Sequence, residues 1–161
     1  MERKNVNRGY RKLRVWEDAI AYYVLTCDTF SKFPFVLQRV ASQQIASVDS
    51  IHRNIAEGYC RRSLGEYLHS LNIALGSAGE SVSGLHAFLA AKQMTDADFD
   101  RLDAVIFKLE NGLKRLIESL QEKKLNGSWD DTFVIRETNL LYTVKDLRPI
   151  SSQPKDNTKN R

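Results

Sequence analysis

Residues 102–120 read LDAVIFKLENGLKRLIESL, and this stretch decides the fold class. Its apolar residues form two series with seven-residue spacing: Leu102, Leu109 and Leu116, and then Ile106, Leu113 and Leu120. Apolar positions separated by three and four residues are typical of one helix face, and a strict seven-residue repeat marks a seam between helices. Thr95 is a suitable N-cap for this segment, and Asn126-Gly127 is a suitable end. The sequence therefore predicts a long helix between these signals.

Two earlier segments have the same helical period. The first runs from Val15 to Phe30 and is ended by Pro34. The second begins at Leu37, and Gly58 supplies a left-handed stop for it.

A third helical segment lies between them and the leucine repeat. It opens with Ser63-Leu64-Gly65-Glu66, an S-x-x-E capping box, and extends to about residue 92. Glycines interrupt this segment at positions 65, 76, 79 and 84. Each interior glycine costs ~1 kcal/mol against alanine, so we expect close contact with a neighbouring helix as the compensation.

Short connectors join the four helices, which favours antiparallel neighbours. The predicted fold is all-α: an antiparallel up-down-up-down four-helix bundle over residues 13–126, with a C-terminal extension. Residues 1–12 form a basic N-terminal arm. Residues 127–150 carry short β-favouring apolar clusters and are predicted to be an appendage, and residues 151–161 to be a disordered tail.

Composition limits the classes of function. The chain has 161 residues, of which 42% are hydrophobic and 27% charged, a balance that fits one globular domain. Its two cysteines, Cys27 and Cys60, are not in a C-x-x-C pair, which argues against zinc and redox motifs. No run approaches the ~18 apolar residues of a membrane span. We therefore expect a cytoplasmic protein without a cofactor, a metal or a membrane contact.

Positive charge is concentrated at the N-terminus. The total of +4 divides into +5 for residues 1–14 and +2 for residues 151–161, which leaves −3 for residues 15–150. Basic arms contact nucleic-acid phosphates and release counterions, although short charged termini are often only solvated. The candidate phosphate-binding residues of the arm are Arg8, Arg11, Lys12 and Arg14.

A second group of arginines surrounds the end of the second helix. Arg53, Arg61 and Arg62 are candidates to clamp a phosphate, with Tyr59 available for stacking. Ion pairing with Glu57 and Glu66 is the alternative for these arginines. The residues to which we assign a structural role in this region are Asn54, Glu57, Gly58, Ser63 and Glu66.

The histidines suggest little chemistry. Glu66-x-x-His69 has the spacing used in di-iron bundles, but no second copy exists in the sequence. Arg62 and His69 resemble the R-x(4-6)-H motif of HEPN ribonucleases, in which arginine and histidine contribute to RNA cleavage. A lone histidine supports acid–base chemistry only weakly, and we expect no enzymatic activity.

Several motifs together carry a resemblance to a bacterial family. They are Leu13-Arg14-Val15-Trp16-Glu17-Asp18-Ala19, Asn54-Ile55-Ala56-Glu57-Gly58, Arg61-Arg62-Ser63 with Glu66, and Ile73-Ala74-Leu75-Gly76-Ser77. In this order they resemble the four-helix-bundle proteins encoded by 23S rRNA intervening sequences, over about residues 13–124.

The resemblance implies a cytoplasmic bundle that assembles as a ring, typically a homopentamer, without an established enzymatic activity. The related accessory proteins of diversity-generating retroelements act with a reverse transcriptase and nucleic acid. The predicted function is thus a non-enzymatic, oligomeric protein that binds RNA or DNA within a ribonucleoprotein or retroelement-like assembly. The alternative is a scaffold for a partner enzyme, with residues 128–161 as its docking segment.

Overall fold

The computed structural model of this chain describes residues 6–61 and 63–129, and for residues 6 and 7 the backbone alone. Its elements are an N-terminal 3-10 helix (Val6–Lys12), α1 (Arg14–Phe30), a 3-10 turn (Phe35–Leu37), α2 (Gln38–Tyr59), α3 (Leu64–Ala90) and α4 (Asp96–Leu125). The described part of the chain contains four long helices and no strand, which confirms the predicted all-α class. Arg62, most of the predicted appendage and the whole predicted tail lie outside the described residues.

Side chains cap two helices at the predicted positions. Ser63 Oγ accepts a hydrogen bond from the backbone N–H of Glu66 at 3.2 Å, and Thr95 Oγ1 accepts one from the N–H of Asp98 at 3.1 Å. At the end of α4, Gly127 adopts a φ of +60°, a left-handed conformation that glycine accepts without steric cost. The start signals of α3 and α4 are therefore confirmed.

One of two predicted helix ends is confirmed and the other is wrong. The helix α1 ends at Phe30, the last residue of the predicted segment, and Pro34 lies beyond it, just before the 3-10 turn. The helix α2 continues through Gly58 to Tyr59, and among the described glycines Gly127 alone has a positive φ. Gly58 serves close packing instead, because an added Cβ would lie 2.7 Å from Ser70 Cβ on α3.

The leucine repeat forms the inner face of α4, as predicted, with one exception. Its buried residues are Leu102, Ile106, Leu109, Leu113, Ile117 and Leu120. Leu116 is only partly buried, and Ile117 takes the inner position. A straight helix of 3.6 residues per turn drifts away from a seven-residue repeat, which explains this shift late in the helix.

The long helices pack as a closed set of neighbours: α1 lies against α2 and α4, and α3 lies against α2 and α4. A buried polar group links three of these helices. Tyr22 Oη and Ser81 Oγ are 3.2 Å apart, and Gln44 Nε2 donates to the Ser81 carbonyl at 3.0 Å. Burial raises the pKa of Tyr22 to about 12. Hydrogen bonding offsets the cost of placing these polar groups in the interior.

The glycines of α3 do not all face a neighbour. An added Cβ on Gly84 would overlap Gln44 Oε1, so close helix contact is confirmed there. For Gly76 and Gly79, no described atom lies within 4 Å of such a Cβ, apart from the adjoining residues and backbone of α3 itself. The prediction of close contact is wrong for these two positions within the chain.

No helix in the described ranges is both long enough and apolar enough to cross a membrane.

Candidate nucleic-acid interface

The N-terminal 3-10 helix is packed onto α1 and α2. The packing depends on Gly9, because an added Cβ would overlap Tyr59 Oη near the end of α2. A residue with a side chain would need Tyr59 to move. From Val6 onward, the basic arm is therefore folded against the helices.

Four aromatic rings hold this part of the arm in place. The Tyr10 ring meets Trp16 edge-on at 5.4 Å between centroids, and it lies 6.3 Å from Tyr59. Tyr59 in turn meets the Tyr67 ring of α3 at 6.2 Å. Burial raises the pKa of Tyr67 to about 12. The arm, α1, α2 and α3 are thus joined by edge-to-face ring contacts, a geometry that aromatic pairs prefer.

The cations of the arm are open to solvent. Arg8, Arg11, Lys12 and Arg14 are all exposed, and none forms an ion pair with another residue that the structure describes. Like charges held close together on a fixed element create a positive potential that attracts anions.

Arg61 lies directly after α2 and is paired with local carboxylates. It donates a hydrogen bond to Glu57 Oε1, and its Nη1 lies 4.0 Å from Glu66 Oε1. The bond to Glu57 raises the pKa of the Arg61 guanidinium above its ordinary value. Half of its side chain remains exposed, and the two carboxylates offset its positive charge.

Arg53 is apart from the arm. It lies eight residues before Arg61, roughly 12 Å along the helix axis, and its Nε pairs with Asp49 Oδ2. The other oxygen of Asp49 lies 3.0 Å from His52 Nε2. The structure therefore brings Arg61 to the end of α2 where the arm packs, but it leaves Arg53 in a separate surface group.

The residues of predicted structural role make mostly local contacts. Asn54 Nδ2 donates to the carbonyl and hydroxyl oxygens of Ser50, one turn earlier in α2. The Ser63 hydroxyl donates to Glu66 Oε2 at 3.0 Å. The Glu66 carboxylate thus accepts a hydrogen bond from the Ser63 hydroxyl. In a reciprocal capping box it would accept one from the Ser63 backbone N–H.

Only one of the two residues that resemble a ribonuclease motif lies among the described residues. His69 is exposed on α3, and Arg62 lies outside the described residues. Among the residues that the structure describes, no three or more His, Cys, Asp or Glu side chains are grouped to hold a metal ion. Cys27 is half-buried and Cys60 exposed, and neither forms a disulfide.

One feature near the arm was missed by sequence reasoning. A groove of about 630 Å³ separates the start of α1 from the middle of α4, and Arg14 is part of its wall. Its α4 side includes Phe107, Lys108 and Arg115. These residues lie outside the leucine seam. The one signal in the sequence that could have indicated them is a phenylalanine beside basic residues on the outer side of a predicted helix.

The comparison with known families gives one match. The model of a family described as 23S rRNA-intervening sequence protein matches residues 11–115, which is more than half of the chain. The matched span begins in the N-terminal 3-10 helix and ends within α4. No curated protein matches the chain.

Proposed function

The chain belongs to the 23S rRNA-intervening sequence protein family, and we propose that it is a non-enzymatic, oligomeric protein that binds RNA or DNA through phosphates. In this proposal it acts within a ribonucleoprotein or retroelement-like assembly in the cytoplasm. A protein partner such as a reverse transcriptase belongs to the same proposal.

The observation that carries the proposal is the folded basic arm. Three of its cations, Arg8, Arg11 and Lys12, lie on one short helix that ring contacts hold against α2, and Arg14 begins α1. Side chains on a fixed element bind phosphates at a smaller entropic cost than those on a mobile tail. Phosphate contacts of this kind give affinity without base specificity.

The proposal includes the antiparallel up-down-up-down topology. Its support is the order of contacts between helices: Gly58 near the end of α2 lies against Tyr67 near the start of α3. Similarly, Asp18 early in α1 pairs with Lys108 in the middle of α4, at 2.7 Å.

Self-association, with a homopentamer as the expected form, is also proposed. Its support is the outer face of α3, where Gly76 and Gly79 have no described neighbour. Glu66 and Glu80 are the only Asp, Glu, Lys or Arg among the 27 residues of α3. The outer face of α3 thus carries little charge, and its small residues allow the backbone of a second helix to approach closely. Several arms in one assembly would raise the avidity for a long nucleic acid.

The test of phosphate binding compares two charge-neutralised variants. In the first, Arg8, Arg11 and Lys12 are each replaced by Gln. In the matched control the same change is made at three other exposed cations that have no described ion pair, Arg39, Lys92 and Lys114. Fluorescence anisotropy with a labelled RNA and a labelled DNA at low salt should give roughly tenfold or greater loss of affinity for the first variant alone. Equal effects of the two variants, or no binding by the wild type, would contradict the proposal.

A second candidate function, a scaffold for a partner protein, has one observation in its favour. Phe35 and Val36 in the connector between α1 and α2 are 86% and 83% exposed. Exposed neighbouring apolar residues often mark a protein-binding surface. A pull-down in which Phe35→Ser together with Val36→Ser abolishes capture of a specific partner would favour this function.

A further inference from the structure

The groove between α1 and α4 has an apolar floor made by packed helices. Leu13, Val15 and Leu116 line it, and Gly112 brings the two helices together there. An added Cβ on Gly112 would lie 3.0 Å from Val15 Cγ1. The floor is therefore a preformed surface between two long helices, and not the product of a loop.

Two cations on the rim of this groove have no acidic partner among the residues that the structure describes. Lys108 Nζ lies 2.7 Å from Asp18 Oδ1, so the charges of this pair offset each other. Arg14 and Arg115 are exposed, and neither forms an ion pair with any other described residue. The groove thus carries a net positive charge, and through Arg14 it is continuous with the basic arm.

An exposed aromatic residue accompanies these arginines. Phe107 is 65% exposed at the α4 side of the groove. Beside it, Asn111 uses its Nδ2 to donate to the Phe107 carbonyl at 2.8 Å, which leaves the Asn111 Oδ1 as an acceptor toward a ligand. The rings of the arm, by contrast, are occupied with one another. Phe107 is therefore an aromatic side chain that is available to a ligand of the basic surface.

The groove combines an apolar floor, two arginines and an exposed phenylalanine. These are the components of a surface that binds single-stranded nucleic acid. Bases of a single strand stack on aromatic rings and apolar surface while cations follow the phosphates. A duplex keeps its base faces stacked inside and offers only its phosphates to such a surface.

We infer that the α1–α4 groove binds unstacked nucleotides of single-stranded nucleic acid, with bases on Phe107 and the apolar floor and phosphates on Arg14 and Arg115. This inference rests on the proposed function, since the strand reaches the groove from the basic arm. The groove thereby selects single strands over duplexes.

The test uses the full chain, a labelled single-stranded DNA of mixed sequence and the duplex of the same sequence. The variants are Phe107→Ala and Arg115→Ala, and Lys114→Ala is the matched control because Lys114 is exposed on the same helix but does not line the groove. We expect roughly five- to tenfold weaker single-strand binding for the first two variants and little change for the control. Duplex binding should change little in the Phe107→Ala variant.

Three outcomes would overturn the inference. If Phe107→Ala and Arg115→Ala bind the single strand as the wild type does, while neutralising the arm abolishes binding, the proposed function stands and the groove has no part in it. If Phe107→Ala lowers the mass measured by light scattering and leaves single-strand binding unchanged, the groove is an interface between copies. If neither DNA binds the wild type, the proposed function fails as well.

Discussion

The two ends of α2 carry contrasting surfaces. At its C-terminal end, Tyr59 packs between Tyr10 and Tyr67, and the exposed cations of the arm belong to the segment that these rings hold. At its N-terminal end, Phe35 and Val36 stand almost fully exposed. The contrast shows that the apolar inner faces of the helices determine the fold. The segments next to the helix ends determine which surfaces are available for binding.

The largest expected effect concerns the packing beneath the basic end. In Gly58→Ala, the new Cβ would lie 2.7 Å from Ser70 Cβ and 2.8 Å from Tyr67 Cδ2. Overpacking of this kind should lower the free energy of unfolding by about 1–3 kcal/mol in urea denaturation. The control Gly65→Ala meets only ordinary contacts at 3.9 Å or more and should be no less stable than the wild type. Equal stability of Gly58→Ala and the wild type would contradict the close packing.

The next effect is a loss of stability at high pH. Tyr67 has a pKa of about 12 in the fold, raised by burial, against about 10 when unfolded. Because the folded protein favours the neutral phenol, its contribution is complete below pH 10 and is lost as the pH rises toward 12. Tyr67 should then add about 1.4 kcal/mol per pH unit to the fall in unfolding free energy.

Tyr67→Phe isolates this contribution. It should reduce the slope of unfolding free energy against pH between 10 and 12, measured by chemical denaturation. An unaltered slope in Tyr67→Phe would show that the phenol is not buried in the fold.

A smaller effect is expected when the anchor of the arm is removed. Tyr59→Ala deletes the ring contacts with Tyr10 and Tyr67, each worth about 0.5–1.5 kcal/mol. Trypsin should then cleave at Arg11 and Lys12 several times faster than in the wild type under native conditions, because the arm is released. Unchanged cleavage rates would mean that ring contacts do not hold the arm.

The smallest effect is expected at the apolar end of α2. Phe35→Ser with Val36→Ser should change the free energy of unfolding by less than about 0.5 kcal/mol, since both side chains are exposed. Nucleic-acid affinity should also stay within about twofold of the wild type, because this end carries no part of the proposed phosphate site. A clear loss of affinity would remove the distinction between the two ends.

Local signals in the sequence predicted the elements well. The caps at Ser63 and Thr95 and most of the leucine seam follow from rules that act over one or two helical turns. The role of Gly58 was misjudged because Ser70 and Tyr67, which lie on another helix, leave no space for a side chain at this position.

The candidate site was harder to predict for the same reason. The arm is fixed by Gly9 against Tyr59, a contact between residues fifty positions apart, and sequence spacing carries no signal for it. The ion pairs of Arg53 and Arg61 lie within one helical turn, so ion pairing was foreseeable as an alternative for Arg61. Whether Arg61 forms this ion pair or keeps an unpaired guanidinium depends on side-chain geometry.

The salt dependence of nucleic-acid affinity tests the central claim most directly. The logarithm of the binding constant should fall linearly with the logarithm of salt concentration for the wild type. Replacing Arg8, Arg11 and Lys12 by Gln should make the slope shallower by about three, close to one for each phosphate that is no longer neutralised. The same slope in both proteins, or an affinity independent of salt, would contradict binding of phosphates by the folded arm.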